Sequence, residues 1–344
     1  MVSARERVCV QGDPNQYDSL VACLVAVMHA WERPVSYDWV AGLAGIAFSP
    51  IMDPDEDCMA WWMESGSESR LCFLAHALGF TIDRVTRDSP WDDAARAAYA
   101  ATGLLPPPHE VHFARLRAAF DRGDALVLRT WPAWSVLTGW DRDLDQLEFA
   151  TLPGFEDLVA RIWGPAQAQL VYVLNPIAPA LPLEHAISKA LRFGGKVAGG
   201  QGKEAGFRYG AALYEAAADR MRTPHFCSAC GANGDSCAHR TLMRMLGTQQ
   251  SAVGFLEEAR DVVEDDRLPW NAPISTFEVM AEVAAPYCDW ESFHADWPKE
   301  SFREGLRQDL QNLATLQTQA AAAVTGLATS YEARIAGSGA AAGD

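Results

Sequence analysis

The hydrophobic period of this chain changes twice, and those changes restrict its fold more than any single motif does. From Ser19 to about Trp31, the residues Leu20, Leu24, Val27, Met28 and Trp31 recur at three- and four-residue steps, the buried stripe of a helix. Asp18 or Ser19 is placed to cap it. A short helix is expected from Tyr37 to Leu43 after Ser36, with Gly42, Gly45 and Phe48 turning the chain out of it. Another, from Ser69 to Leu78, ends at Gly79. The period then shortens. Phe80 to Val85 is β-rich, Glu110 to Asp121 is an amphipathic helix, and apolar runs follow at Ala125–Trp131, Trp134–Trp140, Gln146–Ala150 and Leu170–Leu174. Runs of that length and spacing predict an antiparallel sheet, and helices followed by a sheet predict an α+β fold.

Beyond Asn175 the strand signal stops. Residues 177–182 are a proline-rich linker, and helical spacing then dominates over Leu183–Val197, Phe207–Met221, His239–Val263, Ile274–Ala284 and Ser301 to about Arg334. Gly194-Gly195 and Gly199 to Gly202 are expected to interrupt the first of these. The predicted organisation is an α+β domain over residues 1–176, the linker, an all-helical domain over 183–334 and a disordered tail over 335–344, which has no apolar face to bury. Residues 49–68, acidic and carrying Trp61 and Trp62, are expected to form an irregular excursion.

The apolar fraction of 49% over 344 residues is enough for well-buried cores. A net charge of −17 argues against binding phosphate backbones or anionic lipid, because those contacts are built from Lys and Arg. Neither nucleic acid nor membrane is expected as a partner. Met1 to Val8 lacks an apolar signal core, and no run approaches the roughly 20 apolar residues of a spanning helix, so the expected location is cytoplasmic.

Eight cysteines in a reducing compartment are fillers, metal ligands or reactive thiols rather than a disulfide framework. Cys9, Cys23, Cys58, Cys72 and Cys288 are scattered, as small core residues are. By contrast, the loop over residues 225–239 gathers Cys227, Cys230, Cys237 and His239. A C-x2-C step lets two thiolates grip one ion, and Cys237 with His239 completes a zinc tetrahedron if the backbone between them is extended. His225 is a substitute ligand. Free or redox-active thiols, and an iron–sulfur cluster completed by a distant cysteine, stay open beside structural zinc.

Ser19 to Trp31, Val35-Ser36, Gly42-Leu43-Ala44-Gly45 with Ala47-Phe48, and Val136 to Asp141 together resemble the papain-like superfamily over about residues 8–175. The likeness is to the bacteriocin-processing peptidase domains of peptide exporters and to the N-terminal domain of butirosin biosynthesis protein H. Ala190–Phe193, Tyr209–Glu215 and Arg240 onward to Ala259 also look like the tail of uncharacterised bacterial proteins that share this first domain. The resemblance implies helices packed on an antiparallel sheet, with the helical domain following. Active relatives carry a cysteine at the start of the first helix, where unpaired N–H groups favour the thiolate. Here that position is Ser19, which is also a plausible cap. A second register pairs Gln16, as the side chain aimed at the oxyanion, with Cys23, although Cys23 shares the core stripe of Leu20, Leu24, Val27 and Trp31. The base of active relatives precedes the glycine of the Gly-Tyr-Asp-like turn by six positions, which from Gly139 is Ala133. Trp134 or Ser135 fills a shift of one or two residues, and neither accepts a proton at neutral pH. His29, His76, His109 and His112 read as ordinary structural residues.

The expected function is therefore a papain-like protein with a degenerate site that binds or positions a peptide or acyl group, as a pseudoenzyme of bacterial specialised metabolism. Trp61-Trp62 and Trp131 to Trp134 are either its cleft lining or core. An active acyltransferase or amide hydrolase using Cys23 or Ser19 stays open, since butirosin protein H moves an acyl group from a carrier protein to an amine. A structural or regulatory subunit whose acidic surface binds a basic protein partner is the third reading.

Overall fold

The computed structural model describes residues 18–50, 70–86, 108–130, 133–141, 146–151, 170–202, 208–221 and 234–341. The architecture is α+β. The described chain divides into two compact units, residues 18–36 with 72–180, and residues 37–71 with 181–344.

In the first unit the chain runs α1 (Ser19–Ala30), α3 (Leu71–Leu78), β1 (Phe80–Thr86), α4 (Pro108–Arg122), then β2 (Ala125–Thr130), β3 (Ala133–Asp141), β4 (Gln146–Thr151) and β5 (Leu170–Pro176). The strands form one antiparallel sheet in the order β1-β5-β2-β3-β4. Strand alternation gives it two apolar faces. Leu126, Leu128, Leu137, Val85, Val171 and Val173 pack with Leu116 and Ala119 of α4 on one face. Cross-strand partners share a face, so Val127, Val136, Tyr172 and Trp134 lie on the other, where α1 packs on β2 and β3. Residues 170–174 of β5 are consequently buried without a break.

Helix α1 spans about 18 Å and three strand spacings span about 14 Å, so the helix is long enough to cross from β3 to β1. Its two ends touch those strands. The Ser19 hydroxyl meets the backbone of Trp134 in β3, and Trp31 packs on Phe80 of β1 with centroids 6.4 Å apart. Beyond α1, Arg33 Nη1 donates to the carbonyls of Gly79 (3.0 Å) and Ile177 (2.7 Å), tying this turn to both the start of β1 and the exit of β5. Gly79 is required there: its φ is +82°, and a Cβ would come within 2.6 Å of the Ile177 oxygen.

The second unit holds α2 (Tyr37–Ala44), a 3-10 turn (Ile46–Phe48), α5 (Leu183–Ala198), α6 (Ala211–Arg220), α7 (Gly234–Val263), α8 (Asn271–Ala284) extended by a short 3-10 segment (Ala285–Tyr287), α9 (Trp290–Asp296) and α10 (Glu300–Ala341). Helix α10 packs on α5, α6 and α8, while α2 and the 3-10 turn pack on α7 and α5. Phe48 is fully buried, edge-on to Phe255 at 5.7 Å and near Phe277 at 6.1 Å. Gln317 of α10, itself 1% exposed, donates to the Phe48 carbonyl at 2.9 Å. Two expectations differ here. Gly194-Gly195 does not break α5, because Phe48 and Thr325 cover the two glycines so closely that a Cβ on either would lie within 2.7 Å of them. Packing across the missing side chains offsets the poor helix propensity of glycine. Helix α10 also continues past Arg334 to Ala341, into the stretch read as a disordered tail.

Asp265 joins three elements of this unit. Its carboxylate accepts from Arg267 Nε and Nη2 at 2.8 Å each and from Arg334 Nε at 3.2 Å, while Arg334 Nη1 reaches Glu184 at 3.4 Å. Hydrogen bonding from Arg267, ahead of the charges of Arg267 and Arg334, holds the Asp265 pKa down to about 2 from an ordinary 3.8. A depressed carboxylate stabilises the fold above its unfolded pKa and loses that contribution as pH falls through the folded one. The urea midpoint of Asp265→Asn should therefore change less than that of the natural chain between about pH 4 and pH 2. Equal acid sensitivity of the two proteins contradicts the ion-pair account.

Candidate functional site

The start of α1 is built by Asp18 and Ser19. Asp18 is the N-cap: its Oδ1 accepts from the Val21 N–H at 2.9 Å, which leaves Ser19 as the first helical residue rather than the cap. The Ser19 hydroxyl is thus released from capping. Its oxygen accepts the backbone N–H of Trp134 at 2.9 Å, which fixes it against the start of β3. Trp134 is 8% exposed and stacks on Tyr172, with centroids 5.3 Å and planes 18° apart.

Cys23 lies one helical turn further in and is fully buried. Burial, with a smaller contribution from the nearby Asp18 charge, pushes its thiol pKa far above the ordinary thiol range. Both causes disfavour the thiolate, so this sulfur has the environment of a core residue rather than of a nucleophile. Gln16, its partner in the second register, lies outside the described residues, as do Trp61, Trp62 and Trp131.

His29 is exposed and its Nε2 donates to the Val35 carbonyl at 3.0 Å; His76 is exposed on α3. His109 and His112 fall in α4, within the portion whose side chains are outside the description.

At the cysteine-rich connector, Cys227, Cys230 and His225 lie outside the described residues. Cys237 and His239 both belong to α7, so the extended backbone expected between them is helical. Positions two apart on a helix do not face each other. The His239 ring packs on Trp290 and Phe293, each at 5.2 Å, and its Nε2 donates to the Cys288 carbonyl at 3.0 Å. Only Nδ1 remains to bind an ion. No cluster of three or more metal-binding side chains occurs among the described residues.

Sequence reasoning missed the aromatic corner around His239. Its signal was local: Asp289 caps α9 by accepting from the Ser292 N–H at 2.8 Å, and Pro298 follows the helix end. Comparison with known proteins gives no matching family model and no matching curated protein. No helix among the described residues is long and apolar enough to cross a membrane.

Proposed function

We propose that the sheet-containing unit is a papain-like domain whose catalytic site has lost its proton acceptor, and that it binds or positions a peptide or acyl group without cleaving it. One observation carries this reading: the hydroxyl at the start of α1 is held by a backbone N–H of the facing strand, at 2.9 Å, where catalysis requires a titratable side chain. A serine hydroxyl with no base is a poor nucleophile. The buried Cys23 thiol adds support, since its raised pKa leaves no second nucleophile in α1. In such a protein the scaffold of an acyl-transfer site serves recognition alone. The test is to incubate the full chain with an N-acetylcysteamine acyl thioester and with short peptides, following both protein and ligand mass. Retention of intact ligand through gel filtration is expected. Release of free thiol above the buffer rate, with an acyl adduct on the protein, contradicts the proposal.

We also propose a structural zinc ion at Cys227, Cys230 and Cys237, supported by their spacing, with His225 rather than His239 as fourth ligand because Cys237 and His239 lie two apart on a helix. Elemental analysis of untagged protein should give about one equivalent of zinc, lost together with helical signal on chelation. Less than about a tenth of an equivalent, with all three thiols titrating freely in the folded protein, eliminates it.

A further inference from the structure

Resting on the degenerate-site reading, we propose that Trp134 is the side chain that faces Ser19 and occupies the place from which a proton acceptor would act. The register of β3 makes this assignment. Trp134 pairs with Arg129 and Val136 pairs with Val127, and Val127 pairs with Tyr172, so positions 134, 136, 127 and 172 share the face on which α1 lies. Position 133 pairs with Thr130, one step along the strand, where the pleat turns to the opposite face. Counting from Gly139 selects Ala133, whereas the sheet selects its neighbour. The backbone N–H of Trp134 already touches the Ser19 oxygen, which puts any side chain at 134 one or two bonds from that contact. Its indole stacks on Tyr172 and is nearly buried, so the side chain that this strand position presents on the α1 face is an aromatic ring with no basic atom. Indole nitrogen donates and does not accept.

The experiment restores a nucleophile and a base in the full chain. In Ser19→Cys combined with Trp134→His, the proton leaves the new thiol for the imidazole, giving a thiolate–imidazolium pair with no other bond changed. Alkylation by iodoacetamide at about pH 6 should then be at least tenfold faster than in Ser19→Cys alone, equivalent to a thiol pKa about one unit lower. Ser19→Cys combined with Ala133→His should match Ser19→Cys. A faster rate in the Ala133 variant, or no difference between the two histidine variants, overturns the assignment. Because Trp134→His removes a packed ring, a second readout keeps an aromatic side chain in place. A bimane attached to Ser19→Cys should be quenched by the indole, and its emission should rise about twofold in Trp134→Phe, since indole is the stronger electron donor of the two rings. Unchanged emission likewise overturns it. Labelling of native Ser19 by a fluorophosphonate tests the degenerate-site reading instead, and leaves the facing position untouched.

Discussion

Replacing Phe48 by alanine is expected to lower the stability of the helical unit by about 3–5 kcal/mol, the range for truncating a buried phenylalanine. Total folding free energies are about 5–15 kcal/mol, so the loss approaches unfolding. The size follows from what the ring touches. Phe255 meets it edge-on, Phe277 lies close, and Gly194 of α5 presents bare backbone to it, so that a Cβ at Gly194 would lie 2.3 Å from the ring. Phe255 is also packed on Trp39 and Gly42, which opposes its moving into the vacated space, and Gln317 holds the Phe48 carbonyl in place. Urea unfolding of the full chain, followed by far-ultraviolet circular dichroism, should show the helical transition shifted to much lower denaturant. A loss below about 1 kcal/mol would mean that the site collapses freely and that Phe48 is no keystone.

The second large effect is kinetic. Cys23 and Cys72 are both free thiols, but Cys72 is exposed on α3 and Cys23 is sealed in α1. Only thiolate reacts with iodoacetamide, and burial opposes both ionisation and access at Cys23. At neutral pH, Cys23 in the folded chain should alkylate at least about a hundredfold more slowly than Cys72, with the difference abolished in denaturant. Site-resolved mass spectrometry reads both rates at once. Comparable native rates would show a reactive thiol at Cys23 and revive the register that pairs it with Gln16.

Where one face of an element is buried, its period was visible in the sequence. Helix α1 and the five strands were legible because Leu20, Leu24 and Val27, or the paired runs at Leu126–Leu128 and Val171–Val173, repeat with the geometry of a single element. Contacts made by the absence of a side chain were not legible. Gly42 and Gly194 read as turn or breaker residues, yet they lie inside α2 and α5 with Phe255 and Phe48 packed against them, while Gly45 makes the expected turn at φ +83° and also admits Phe193. A glycine that admits a ring looks, in one dimension, like a glycine that bends a chain. Similarly, the capping signal assigns a helix to residues 37–43 but not a partner, and its packing on α7 and α5 follows from those ring contacts. At the candidate site, counting could name Ser19 and could narrow the facing position to 133–135. Only strand register separates those three, because it depends on how β2 and β5 pair.

Central to the account is the proposal that the Ser19 hydroxyl at the start of α1, held by the Trp134 N–H, is not activated by a base. Its most direct test is fluorophosphonate labelling of the native chain at neutral pH, read by intact mass with Ser19→Ala as control. No adduct on Ser19 is the predicted result, even at millimolar probe and long incubation. A stoichiometric adduct that disappears in Ser19→Ala would contradict it, because only an activated serine displaces the leaving group of such a probe.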